Sequence, residues 1–587
     1  MYIHPGGLVA TVVAVGPHHK SQWIYASYLY LDNTFDVVAI NPVNDATEVF
    51  HNPVPGEYGA RNFAVSPNGD VYFGTLPTAH FMRIDWATHR ILDLGQPAKG
   101  EQYIWDTAFG SDGKLYGVTY PSCKLVRYNP VNKKLADLGR MDPTEEYGRW
   151  IVADHNGYLY MGIGTAKANI AVYDTHTGKM REVLPRDAQV VGTARPYIGV
   201  DGKVYAIVGK RFFKLSGFHI RELSTDHRVP MASRTVLSDG RVADLYSHLG
   251  AVILHNPKTG RETSFPIHYK GEPLQIFRIA FGPDGRLYGS SILPAYLLRI
   301  DRKAHEVKTI GLVGGGETYS LLAHDGRLVL GSYSADAPLM SYDPSAPFHP
   351  AAEGNPTFAN FTNADEAWRP MAMIEGPDGL LYIGGTAGYG KLNGPLVIWD
   401  GKSSHAHAYG PFIHNQSINS LTVWQGGIVG GTTTQGGGGS HPTEKSAVVF
   451  LWNASTHQLL WELAPVQGAK NITDLITSPS GLVYGVAAFP GKCILFTLDV
   501  KNKKVISTQV LPFPYVPYNS VVKTPGGTIW GLGNMGIFRI DDATHRAVLV
   551  AHSPENIDGG IALRGHDLYF LSHARVYRYD GVRDEAR

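Results

Sequence analysis

Cysteine is nearly absent: the chain of 587 residues has two, Cys123 and Cys493. They lie too far apart to build a CxxC metal motif, and two cysteines make no disulfide framework. An excess of charge is missing as well, with 52 basic against 51 acidic residues. That balance gives no global attraction for nucleic acid or a membrane surface, so recognition by charge must be local. No apolar run approaches the roughly 20 residues that cross a bilayer. The opening MYIHPGGLVATVVAVG lacks the basic start, long apolar stretch and cleavage site of a signal peptide. As it stands the sequence is expected in the cytoplasm, or outside the cell if its N-terminus has been processed. Sustained i, i+3, i+4, i+7 apolar spacing is also missing, so substantial helix is not expected.

Chemistry-bearing motifs are equally scarce. His18-His19 and His405-x-His407 are the close histidine pairs, and neither has the partners of a metal site. No metal ligand set is assigned and the cofactor is left unknown, since ligands drawn from distant segments leave no local pattern. No G-x-S-x-G elbow occurs, and the GGGG run at Gly436 lacks the Lys-Ser/Thr of a phosphate loop.

What the chain does have is glycine (67), tyrosine (32) and a repeat. A turn-plus-strand phrase recurs as SPNGDVYFG from Ser66, GSDGKLYGV from Gly110, DHNGYLYMG from Asp154, GPDGRLYGS from Gly282, GPDGLLYIG from Gly376 and SPSGLVYGV from Ser478, among others. A third-strand phrase accompanies it, as in HFMRIDWATH, KLVRYNPVNK, LLRIDRKAHE and IFRIDDATHR. The D/N-G pairs supply the positive φ angles of tight hairpins, and the apolar alternation fits strands packed face to face. Asp284 and Asp378 in the PDG turns read as Asx-turn residues rather than calcium ligands. The period of about 40 to 45 residues is that of a four-stranded propeller blade. About 13 units exceed the 4 to 8 blades of one ring. The expected fold is therefore all-β, two tandem β-propellers, with residues 1–316 as the first (about seven blades) and 317–587 as the second (about six). The last unit stops after its third strand at Tyr579, and the N-terminal LVATVVAVG is one candidate to complete it. The insert Gly431 to Lys445 is expected as a mobile loop.

The GPDGRLYG-type turns and RID- or YDP-type third strands resemble those of the streptogramin lyase, SMP-30 and YVTN propeller groups, and more distantly the propeller polysaccharide lyases. The resemblance covers nearly the whole chain and implies architecture only; it carries no catalytic residue across.

In such a fold the first strands line a central funnel, where ligands bind. Arg61, Arg149, Arg195, Arg234 and Arg278 begin first strands in five of the first seven units, and Trp105-Asp106 holds that place in a sixth. Converging, they would bind carboxylate, sulfate or phosphate by paired hydrogen bonds. Their distances to the following hairpin glycine are 8, 8, 7, 6 and 7 residues. In regular strands they could not all face one way. The loops after the second strands add Tyr120, Tyr246 and His248. Arginine beside Tyr and His is what β-elimination on a uronate needs: Arg neutralises the carboxylate, one side chain takes the C5 proton and another protonates the leaving oxygen. His248 is the candidate base, with Tyr246 and Tyr120 beside it. The expected partner is an anionic oligosaccharide or polysaccharide. Three classes stay open: a lyase for uronate-containing glycans, a non-catalytic scaffold for protein or glycan, and a metal-dependent lactonase or streptogramin-type lyase. Oligomeric state is not legible.

Overall fold

The computed structural model describes residues 7–584 apart from 32, 247–249, 304–305, 334–338, 350–353 and 362–368. The chain is all-β: sheets of sequential up-and-down antiparallel strands, with one parallel pairing of Thr357–Phe361 to His405–Tyr409 and three short 3₁₀ turns among the described residues. No helix among the described residues is long and apolar enough to cross a membrane. The sheets form two compact units, His4–Pro273 and Leu274–Arg587.

The repeated phrase builds each sheet in the same way. In GPDGRLYG, Gly285 takes φ +71° in the hairpin. Asp284 Oδ1 accepts the Arg286 N–H at 3.0 Å, and its Oδ2 accepts the Tyr288 hydroxyl at 2.9 Å. The same fastening recurs at Asp112–Tyr116, Asp201–Tyr205 and Asp378–Tyr382, each at 2.9 Å. The turn aspartates thus hold their own hairpins, as Asx-turn chemistry expects. The glycine after the tyrosine lets the neighbouring sheet approach. A Cβ on Gly74 would lie 2.3 Å from Ile104, and one on Gly162 would lie 2.2 Å from the Ala194 carbonyl. The core is the series of apolar layers between consecutive sheets: Phe35, Phe63 and Phe73 in one, Leu115 and Val126 in the next, then Tyr116, Leu159 and Met161.

In the first unit the inner strands are Gly7–Val15, Gly59–Val65, Tyr103–Phe109, Gly148–Ala153 and Ala194–Ile198, each beside the next. An irregular stretch around Ala232–Leu237 closes the series. It bridges to the following strand at Val236–Val242 and accepts the Val13 N–H on the Arg234 carbonyl at 3.0 Å. LVATVVAVG therefore does not complete the last sheet of the chain; it pairs with Gln22–Tyr30 inside the first unit.

The division expected after residue 316 falls instead after Pro273. The sheet of Ile276–Gly314 belongs with the later ones. Its inner strand Ile276–Phe281 packs between Thr318–His324 and Gly559–Arg564, and the Ile276 N–H donates to the His573 carbonyl at 2.9 Å. The Gly314–Gly316 run is only the link between adjacent sheets, a turn signal that sequence alone does not separate from a linker. The Gly431–Lys445 insert is likewise no loose loop. Gly437 donates its N–H to the Lys391 carbonyl at 2.9 Å, and the Gly438 carbonyl accepts that of Gly390 at 3.0 Å. A Cβ on Gly436 would lie 2.1 Å from the Lys391 carbonyl, which explains the glycines there.

Candidate functional site

The inner strands of the first unit enclose a cavity of ≈ 690 Å³. Arg61, Arg149, Arg195 and Arg234 all line it, with Asn62, Trp105, Asp106 and Trp150. Four of the five arginines singled out by the sequence therefore converge, despite the spacing that argued against it. The reason is a β-bulge at the start of three inner strands. Register shifts fall between Ala60 and Phe63, across the Trp105 position opposite Val118/Thr119, and between Gly148 and Trp150. A bulge sets two residues against one on the neighbouring strand and breaks the alternation of faces. Consecutive residues then reach the cavity together: Arg61 with Asn62, Trp105 with Asp106, Arg149 with Trp150.

Aromatic rings hold the guanidiniums in place. Trp105 lies between Arg61 and Arg149, each guanidinium carbon 4.6 Å from its ring centre. Arg149 also covers Tyr147 at 4.4 Å, and Arg195 covers Trp150 at 4.5 Å. Stacking on a ring fixes the plane of a guanidinium. Arg234 Nη1 donates to Asn62 Oδ1 across the closing seam. Arg195 and Arg234 are exposed, Arg61 and Arg149 half-buried.

Asp106 is the one carboxylate among the described residues that line the cavity with these four cations. It is 4 % exposed, and its two oxygens accept the Thr107 and Ile151 N–H groups at 2.8 and 2.9 Å. Burial pushes its carboxyl up to about 6, against the opposing pull of Arg234 and of the two backbone donors. Near neutral pH the cavity therefore carries a net positive charge.

Two expectations are corrected here. Arg278 does not join this site; it lines a separate cavity in the second unit. Tyr120 does not line the first cavity either. It stacks on Tyr103 and Tyr147, ring centres 5.1 and 4.3 Å away, in a layer behind Arg149. Burial, with Glu146 nearby, raises its phenol, so it stays protonated and is not a ready base. His248 lies outside the described residues; Tyr246 ends the strand Val242–Tyr246, its side chain undescribed. Trp150 and Asn62 were not foreseen, because regular alternation sends them outward. The signal that could have found them is the polar or aromatic pair, RN, WD and RW, at the head of each strand. Among the described residues no three His, Cys, Asp or Glu side chains group as metal ligands.

No family model and no curated protein matches the chain. Solved structures with similarity include the extracellular domain of a one-component system from B. thetaiotaomicron, at 12 % identity and TM-score 0.39, over 99 % of this chain and 76 % of that one. PorZ, a surface component of the type-IX secretion system of Porphyromonas gingivalis, follows at 12 % and 0.37, over 99 % and 86 %. Virginiamycin B lyase from Staphylococcus aureus is similar at 12 % and 0.29, over 56 % of this chain and 94 % of that one. Functional assignment rests on the geometry of the site.

Proposed function

We propose that the first unit recognises a carboxylated glycan in its arginine-lined cavity. The observation that carries this reading is the convergence of Arg61, Arg149, Arg195 and Arg234 on one space walled by Trp105 and Trp150. Guanidinium N–H groups suit carboxylates by paired hydrogen bonds. Charge alone would serve phosphate or sulfate as well; the volume of ≈ 690 Å³ leaves room for a ring-bearing anion such as a uronate residue. The test is binding to a panel of polyuronates. Arg149→Ala and Arg195→Ala should each weaken binding about tenfold, near 1.4 kcal/mol, and raised salt should weaken it further. Equal binding of neutral polysaccharides would contradict the reading.

Cleavage by β-elimination is the enzymatic extension. What favours it is the set of guanidiniums on the cavity, which would neutralise a uronate carboxylate and so acidify its C5 proton. Incubation with the same polyuronates, followed by ultraviolet absorbance of unsaturated uronates, tests it. Binding without any absorbance change leaves a glycan-binding module; a signal lost in His248→Ala places the base.

A further inference from the structure

Asp106 shares the first cavity with the guanidiniums of Arg61, Arg149, Arg195 and Arg234, yet it hydrogen-bonds to none of them. Its oxygens are committed to the backbone: Oδ1 accepts the Thr107 N–H at 2.8 Å, and Oδ2 accepts the Ile151 N–H at 2.9 Å from the neighbouring inner strand. The carboxyl is thus fixed in place and buried, and it meets the cations through space rather than by contact. Arg234 draws it most strongly toward its charged form, and Arg195 adds to that pull. In an enclosed site such attraction is screened far less than in water.

An anion seated on Arg195 and Arg234 competes with Asp106 for that same positive charge. Two carboxylates then face one set of guanidiniums, and like charges in one site disfavour the ionised form of one of them. Asp106 is the one that yields. Burial already pushes it up to about 6, whereas a ligand carboxylate meets the guanidiniums directly by paired hydrogen bonds. The groups that face Asp106 from the elements packed against it do not change charge near neutral pH. Arg61 on Gly59–Val65, Arg149 on Gly148–Ala153, and Arg195 and Arg234 beyond them are arginines, which keep their charge in proteins. The phenols of Tyr72, Tyr116, Tyr120 and Tyr197 on the adjoining strands are raised by burial and stay protonated. Gly7–Val15 brings only Val9, Ala10 and Thr11 to the lining.

We propose that a carboxylated glycan entering the first cavity takes up a proton at Asp106, so that the site holds its ligand in acid and releases it as pH rises. The inference rests on the glycan reading of this cavity and adds how its occupancy is regulated. The probe is sodium polygalacturonate, titrated calorimetrically against the full chain at constant ionic strength. Its own carboxylates are ionised throughout the range used. Affinity should fall about tenfold from pH 5 to pH 8. At pH 6.5, buffers of different ionisation heat should report about half a proton taken up per occupied site. Asp106→Asn should bind with the affinity that wild type shows at pH 5, independent of pH and without proton uptake. Should that variant fail to fold, the buffer comparison on wild type decides alone. Binding with a constant affinity from pH 5 to pH 8, heats independent of buffer, or the same pH dependence in Asp106→Asn would overturn the proton linkage while leaving the glycan reading intact. No binding of polygalacturonate at any pH would overturn the linkage together with the reading beneath it.

Discussion

At the scale of single residues, Trp105 is the side chain on which the first site turns, because two guanidiniums share its faces. Trp105→Ala should release Arg61 and Arg149 and weaken polyuronate binding about tenfold or more. Its effect on melting temperature should be small, since the ring is only half-buried. A polyuronate titration beside a thermal melt checks both. Asp106 gives a pH signature. Its carboxyl is raised in the folded protein, from an ordinary 3.8 to about 6. The folded state therefore binds more protons than the unfolded state between those values, and this group's contribution to stability falls as pH rises through the window. Measured against Asp106→Asn, wild type should lose up to about 3 kcal/mol of relative stability between pH 4 and pH 8. Parallel denaturant titrations at several pH values would show it; a difference independent of pH would refute the assignment.

Among elements, the hairpin and the inner strand differ in how far the sequence discloses them. The hairpin is written in adjacent residues: Asp284, Gly285 and Tyr288 fix turn, φ angle and fastening bond within five positions. That local chemistry made the all-β repeat legible. Tyr288→Phe removes one hydrogen bond to Asp284 and should cost about 1 kcal/mol. Tyr160→Phe should cost more, because the Tyr160 hydroxyl also accepts the Gly217 N–H at 2.7 Å from the next sheet, which would be left without its acceptor. Chemical denaturation of the two variants compares them directly. The inner strands are another matter. Arg61 and Arg149 were visible as residues, but their direction depends on bulges set by pairing with the second strand, which regular alternation does not foresee. The inner segment around Arg234 was legible as the start of a unit, while its seat against Val13 at the closing seam was not.

For the whole molecule, the repeat disclosed the architecture but not the boundary. Ile276–Phe281 looks like every other inner strand; only its packing against Gly559–Arg564, far away in sequence, assigns it to the second unit. Arg278 moved with it, and with it moved the charge balance of both cavities. If each unit closes its own core, residues 4–273 expressed alone should unfold cooperatively and keep polyuronate binding, and a 4–316 version should gain nothing in melting temperature. The most direct measurement is the affinity of the full chain for a polyuronate, at low and high salt, for wild type and for Arg149→Ala/Arg195→Ala. Wild type should bind with an affinity that falls with salt, and the double variant should lose at least tenfold with an unchanged melting temperature. Retention of wild-type affinity by the double variant, or failure of wild type to bind any polyuronate, would contradict the account.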